Sequence, residues 1–154
     1  MLSNMSTKTN TPSVPFVDQY LSALLNQAAQ LITVDFHAVV KRRGLSLVEW
    51  RVLASLYEHD EVSIGQLAQL TLQKQPTLTR LLDRIERMGH IERFSNGGDR
   101  RITLVRNTAL GRELVAGLIE DAKAHEARML APFGAERTEA LKVALRSLIA
   151  LYRA

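Results

Sequence analysis

Basic and amide side chains between residues 74 and 101 are the part of this sequence best suited to bind a polyanion. Seven lysines or arginines and four aspartates or glutamates fall there, so the segment carries +3 of the chain's formal net charge of +4. Arginine and lysine neutralise phosphates, and Arg, Gln and Thr side chains also bind the edges of bases in the major groove. This clustering indicates a nucleic acid as partner, with an ordinary solvated, charge-mixed surface as the alternative.

The predicted elements around the segment favour the nucleic acid. Two short helices begin with capping boxes, in which a serine is followed three residues later by Glu or Gln. The pairs are Ser46 with Glu49 and Ser63 with Gln66. A third helix begins near Gln75 with proline in its first turn, and a Gly-rich hairpin follows at residues 95–99. Three helices and a hairpin in this order predict a winged helix-turn-helix, whose recognition helix lies in the major groove.

The side chains expected to contact DNA lie mainly on this recognition helix and at the hairpin tip. Helical spacing turns Leu78, Leu81, Leu82 and Ile85 inward and leaves the polar residues outward. The predicted DNA-binding residues are Ser63, Lys74, Gln75, Thr77, Thr79, Arg80, Arg84, Asp99, Arg100 and Arg101. The two wing arginines suit a minor groove, with Asp99 orienting one of them or pairing with it to hold the turn.

Apolar helices on both sides of this region predict a dimer. Residues 16–43 and 108–154 carry apolar stripes at helical spacing, with more apolar surface than the small reading region covers. Packing these helices together and against a second copy is the simplest way to bury the stripes. We therefore predict a mainly α fold with a small β-hairpin wing: a flexible arm at 1–15, a helical dimerisation region at 16–43 and 108–154, and a DNA-binding region at 44–107.

The sequence lacks the features that several other classes of protein require. There is no cysteine, which excludes disulfides and thiolate chemistry. No apolar run approaches the ~20 residues of a membrane span, and the polar N-terminus has no signal-peptide core. The histidines, at 37, 59, 90 and 125, have no metal-binding spacing, and no catalytic motif is present. We expect a cytoplasmic protein that is not an enzyme and uses no metal or cofactor.

Five segments together resemble the MarR family of dimeric winged helix-turn-helix transcriptional regulators. They are GLSLVEWRVL at 44–53, IGQLA at 64–68, QPTLTRLLD at 75–83, DRR at 99–101 and TALG at 108–111. The similarity covers residues 16–152, and the Gln75-Pro76 pair is most similar to the SlyA-like branch. Two differences stand out: Asn107 occupies a position where the family usually has leucine, and the wing is short and glycine-rich.

The resemblance implies a homodimer that binds a palindromic double-stranded operator. It also implies a repressor released by a small aromatic or phenolic ligand or an acyl thioester, bound between the dimer helices and the reading region. Carried over to this sequence, the ligand-binding candidates are His37, Arg43, Trp50 and Arg51. Core packing is the alternative for Trp50, and an ordinary helix-face position is the alternative for His37. The alternative function is a constitutive winged-helix DNA-binding protein without a small-molecule effector.

Overall fold

The computed structural model describes residues 14–153. In chain order the elements are a 3₁₀ turn (Phe16–Asp18), α1 (Leu21–Arg42), α2 (Leu47–Glu58), β1 (Val62–Ser63), α3 (Ile64–Thr71), α4 (Gln75–Arg87), β2 (Ile91–Ser95), β3 (Thr103–Asn107), α5 (Ala109–Leu130), a 3₁₀ turn (Ala131–Phe133) and α6 (Ala135–Arg153). This mainly helical fold with a small sheet confirms the predicted fold class. Most of the arm predicted at 1–15 lies outside the described residues.

The predicted capping boxes are confirmed at the starts of α2 and α3. Ser46 Oγ accepts a hydrogen bond from the Glu49 amide (3.2 Å), and the Glu49 carboxylate accepts one from the Ser46 amide (2.7 Å). Ser63 and Gln66 repeat the arrangement. Each box satisfies amides that a helix start leaves without intrahelical partners, so local sequence fixes where both helices begin.

The sheet has three antiparallel strands in the order β1-β3-β2. The hairpin pairs Ile91 with Asn107 and Ser95 with Thr103, while β1 pairs Val62 with Val105. A two-residue strand has no alternation that a sequence pattern reveals. Through β1, the start of α3 is joined to the central strand of the wing.

Residues 14–34 and 35–153 form two compact units, and α1 crosses the boundary between them. The core of the second unit lies among α2, α3, α4, the sheet and α5. Its fully buried side chains include Val52, Leu53, Leu56, Leu67, Leu78, Leu82, Ile85, Val105, Val115 and Leu118. Three of the four leucine and isoleucine residues predicted to face inward on α4 are fully buried, and Leu81 is half-buried.

Large apolar side chains remain uncovered on two helical segments. In the first unit, Tyr20, Leu24 and Leu31 are exposed, and in the second unit α6 has no buried residue and exposes Leu141 and Ile149. None of the helices in residues 14–153 is both long and apolar enough to cross a membrane.

Candidate nucleic-acid interface

The recognition helix α4 has one buried face and one polar, exposed face. Leu78, Leu82 and Ile85 are fully buried, whereas Lys74, Gln75, Thr77, Thr79 and Arg80 are exposed. No described side chain caps the helix at Lys74, and proline lies in the first turn. The positive end of the helix dipole is therefore left open beside the exposed polar residues, which favours an anion there.

The turn before α4 reverses the chain through a left-handed residue. Leu72 has φ 55° and ψ 36°, and 82% of its surface is exposed. Its amide and that of Gln73 donate to carbonyls at the end of α3. These bonds fix the turn, although the left-handed conformation is unfavourable for a residue with a Cβ atom.

Two of the predicted DNA-binding residues are engaged inside the protein. The hydroxyl of Ser63 accepts from the Gln66 amide (3.2 Å) and donates to the Gln66 side-chain oxygen (3.1 Å). Arg84 lies 2.9 Å from the buried carboxylate of Glu49 and also donates to the Gly44 carbonyl (3.4 Å). DNA contact by these two residues stays a prediction, and the geometry gives each of them a structural role.

The wing tip presents two arginines to solvent. Arg100 and Arg101 are exposed, and neither forms an ion pair with another residue of 14–153. The Asp99 carboxylate accepts from the backbone amide of Arg101 (2.9 Å), and the Ile102 amide donates to the Asp99 carbonyl (3.1 Å). Asp99 therefore holds the turn through the backbone and leaves both guanidinium groups available, which differs from the expected side-chain pairing.

Ion pairs join the base of the wing to α4. Arg93 on β2 lies 2.7 Å from Asp83 and 2.6 Å from Glu86, and its backbone amide also donates to Glu86 (3.1 Å). The side-chain hydrogen bond from Arg93 holds the pKa of Glu86 below its usual value, and the same bond raises the pKa of Arg93. Sequence analysis counted Arg93 in the basic segment, but its charge is used here to fix the wing against the recognition helix.

A second arginine stabilises the outer side of the wing. Arg106 on β3 binds Glu92 and Glu61, and its guanidinium lies 4.6 Å from the centre of the Phe94 ring. The hydrogen bond with Glu92 raises the pKa of Arg106. These contacts hold both strands and the loop before β1 together.

The four candidate ligand-binding residues are not brought to one place. His37 lines an open cleft of about 510 Å³, together with Lys41, Arg84 and residues 44–47. Arg43 lies 3.5 Å from Asp121, Trp50 packs edge-on against Phe36 at 5.8 Å, and Arg51 is exposed. Ligand contact by these four residues stays a prediction. Within the described chain there is no group of three metal-binding side chains.

Sequence reasoning missed two residues that position the interface. Glu49 was recognised only as part of a capping box, yet its buried carboxylate also meets Arg84 of α4. Gly111, in the first turn of α5, lies against the His90 carbonyl so closely that an added Cβ would be 1.9 Å from its oxygen. The TALG segment contained the second signal, but the partner lies 21 residues earlier in the chain.

The comparisons with known proteins agree with this geometry. The sequence profile of the MarR family matches residues 43–102. The chain is 29% identical over 131 residues to the homoprotocatechuate degradative operon repressor of Escherichia coli, covering 85% of this chain and 88% of that protein. It is 30% identical over 128 residues to the transcriptional regulator PecS of Dickeya dadantii, covering 81% and 75% respectively. The crystal structure of a MarR family transcriptional regulator from Silicibacter pomeroyi has a TM-score of 0.78 and 36% identity, with 90% of this chain and 99% of that chain covered. The protein described here therefore belongs to the MarR family of winged helix-turn-helix, DNA-binding transcriptional regulators.

Proposed function

We propose that the protein is a homodimeric repressor that binds a palindromic operator and leaves it when a small aromatic ligand binds. The observation that carries this proposal is the division of α4 into a buried apolar face and an exposed face of Lys, Gln, Thr and Arg. In this function, residues 44–107 bind DNA and residues 16–43 and 108–154 form the dimer.

The exposed residues divide the contacts with DNA. Gln75, Thr79 and Arg80 lie on the exposed face of α4 and address base edges, whereas Lys74 lies at the open helix start and suits a phosphate. Arg100 and Arg101 reach the adjacent minor groove from the wing tip.

Dimerisation is supported by the uncovered apolar side chains of residues 14–34 and of α6. A monomer would leave these large side chains in water, whereas a two-fold partner removes them at a gain of about 25 cal/mol per Å² of apolar surface buried. The same two-fold symmetry places two recognition helices on half-sites about 34 Å apart.

Ligand control is supported by one relative and one feature of the fold. The relative in Escherichia coli is named as the repressor of an operon that degrades homoprotocatechuate. The cleft beside His37 and Lys41, about 510 Å³, is in the size range of small-molecule sites. A ligand that binds the dimer better with its reading regions apart than in the DNA-bound spacing shifts the population away from the operator. The alternative is a constitutive DNA-binding protein, and it requires no effector.

Selection of binding sites from a random duplex library, followed by titration of the selected operator, tests the DNA-binding part. We expect a palindromic site, a dimer by mass, and a loss of about 1–3 kcal/mol for Arg80→Ala on the operator with a smaller loss on random duplex. Equal losses on both duplexes would remove Arg80 from base recognition, and a selection without enriched sequence would refute operator binding.

A panel of aromatic acids and their acyl thioesters tests the ligand. A repressor of the proposed kind shows a compound that both raises the melting temperature of the free protein and releases the operator. Failure of every compound to do both, over a broad panel, would favour the constitutive alternative while leaving operator binding intact.

A further inference from the structure

A buried carboxylate lies directly behind the recognition helix. Glu49, in the first turn of α2, has no exposed surface. One carboxylate oxygen accepts from the Ser46 amide at 2.7 Å, and the other lies 2.9 Å from Arg84 Nη1 in an ion pair that lacks the alignment of a hydrogen bond. A buried charge is costly unless a partner offsets it, and Arg84 is the cation that does so here.

Arg84 also contacts the turn that leads into α2. Its second terminal nitrogen donates to the Gly44 carbonyl at 3.4 Å. Gly44 ends α1 with φ +76°, a left-handed conformation that suits glycine. One guanidinium therefore joins α4 to two neighbouring points of the α1–α2 junction, and a planar group with several donors is suited to this geometry.

The position of Arg84 along α4 links this contact to base recognition. Arg80 and Arg84 are four residues apart, so they lie on the same side of the helix, one turn from each other. Arg80 is exposed, whereas the guanidinium of Arg84 is directed to Glu49. Fixing Arg84 sets the rotation of α4 about its axis, and this rotation decides how Arg80 and Gln75 meet the groove.

We infer that Arg84 is a positioning residue, which orients the recognition helix through Glu49 and Gly44 and does not itself bind a DNA phosphate. The inference rests on the proposed operator binding. It assigns to Glu49, a residue with no exposed surface, a role in sequence recognition.

The test compares Arg84→Ala, Arg84→Lys and Glu49→Gln with the wild type on operator and random duplexes over a range of salt concentrations. We expect Arg84→Ala to weaken operator binding about tenfold, as one mismatched base pair would. The salt slope and the random-duplex affinity stay at wild-type values, because no phosphate contact is lost. Arg84→Lys weakens the operator complex to a similar extent, since a single ammonium replaces neither the fork nor its two contacts.

Glu49→Gln gives a result whose sign is diagnostic. Removing a negative charge from a DNA-binding protein favours DNA electrostatically, so a variant without a positioning effect binds as tightly as wild type or more tightly. The inference predicts weaker operator binding, because the amide still accepts from Ser46 but no longer attracts Arg84. Glu58→Gln, an exposed site in the same helix, is the control and is expected to retain wild-type affinity. The double variant Arg84→Ala, Glu49→Gln loses no more than the larger single loss.

Three results would overturn the inference. They are a fall of about 0.9 in the salt slope for Arg84→Ala, wild-type affinity for Arg84→Lys, and undiminished operator binding by Glu49→Gln. Circular dichroism at the assay temperature checks that each variant is folded, and if Glu49→Gln is not, the Arg84 variants and the slope decide alone. Failure of the proposed function is distinct, because wild-type protein would then not prefer the operator to random duplex.

Discussion

Replacing Gly111 by alanine is expected to disrupt the junction between the winged helix and α5. Gly111 is buried in the first turn of α5, and a Cβ atom there would lie 1.9 Å from the His90 carbonyl oxygen and 2.9 Å from its carbon. Non-bonded heavy atoms are normally about 3.5 Å apart, so the two backbone segments would have to separate by about 1.5 Å. Backbone lies on both sides, and no flexible side chain can move away instead.

Several hydrogen bonds depend on the same close approach. The Thr108 amide donates to the His90 carbonyl (3.0 Å), and the Thr108 hydroxyl donates to the Gly89 carbonyl (2.6 Å) and accepts from the Gly111 amide (3.1 Å). Overpacking typically costs about 1–3 kcal/mol, and each lost hydrogen bond costs about 1 kcal/mol. Alanine returns about 1 kcal/mol through its higher helix propensity. We therefore expect Gly111→Ala to lower the free energy of unfolding by about 2–4 kcal/mol.

Denaturant unfolding at a fixed protein concentration measures this loss, because the stability of a dimer depends on concentration. Gly117→Ala is the matched control: it lies in the same helix, and an added Cβ there has no atom within 4 Å. The control is expected to gain up to about 1 kcal/mol from helix propensity. If Gly111→Ala were as stable as Gly117→Ala, propensity would dominate and the steric argument would be refuted.

Three further predictions concern stability. Asn107 donates to the Leu53 carbonyl (3.1 Å), but its buried side-chain oxygen has no hydrogen-bond partner among the described residues; Asn107→Leu should raise stability by about 1 kcal/mol, and a lower melting temperature would contradict this. Leu72→Asn should gain about 0.5–1 kcal/mol because asparagine tolerates the left-handed conformation, and a loss would show that the conformation is not strained. Because the folded-state pKa of Glu86 is lowered by Arg93, its stabilising effect is complete above the unfolded pKa of about 4.5 and is lost as pH falls through the folded value. The stability difference between wild type and Glu86→Gln, measured by urea unfolding, should therefore be constant from pH 7 to about 5.5 and shrink below about 4.5, whereas a difference independent of pH would exclude the ion pair as its source.

The parts of the fold that sequence predicted are those set by neighbours three or four residues apart. The capping boxes at Ser46 and Ser63 need only a serine and a partner at the third position, and both formed as predicted. The buried face of α4 follows from the helical spacing of Leu78, Leu82 and Ile85. Local patterns of this kind carry the physics of helix starts and amphipathic faces within one window of sequence.

The features that escaped prediction depend on residues far apart in the chain. Glu49 and Arg84 are separated by 35 positions, and no local pattern tells that a capping glutamate also meets an arginine of another helix. The two residues of β1 become a strand only because β3 provides hydrogen bonds at Val62 and Ser63. The four candidate ligand residues were taken from a resemblance, which does not determine that Arg43 faces Asp121 instead of a cleft.

The count of basic residues also overstates the charge available to DNA, and the salt dependence of binding measures the difference. Of the seven cations between residues 74 and 101, Arg84 and Arg93 are committed to carboxylates, and Arg87 lies in the last turn of α4, away from the end directed at the groove. Lys74, Arg80, Arg100 and Arg101 remain.

If each remaining cation meets one phosphate, a dimer makes about eight contacts, and log K should fall with log salt at a slope of about −7. Seven contacts from each chain would give a slope of about −13. The measured value separates a surface defined by geometry from one defined by composition, because the ion pairs that fix α4 and the wing also withdraw their charges from the interface. A slope near −13 would mean that those ion pairs open when DNA binds, and the positions of Arg84 and Arg93 would then describe only the free protein.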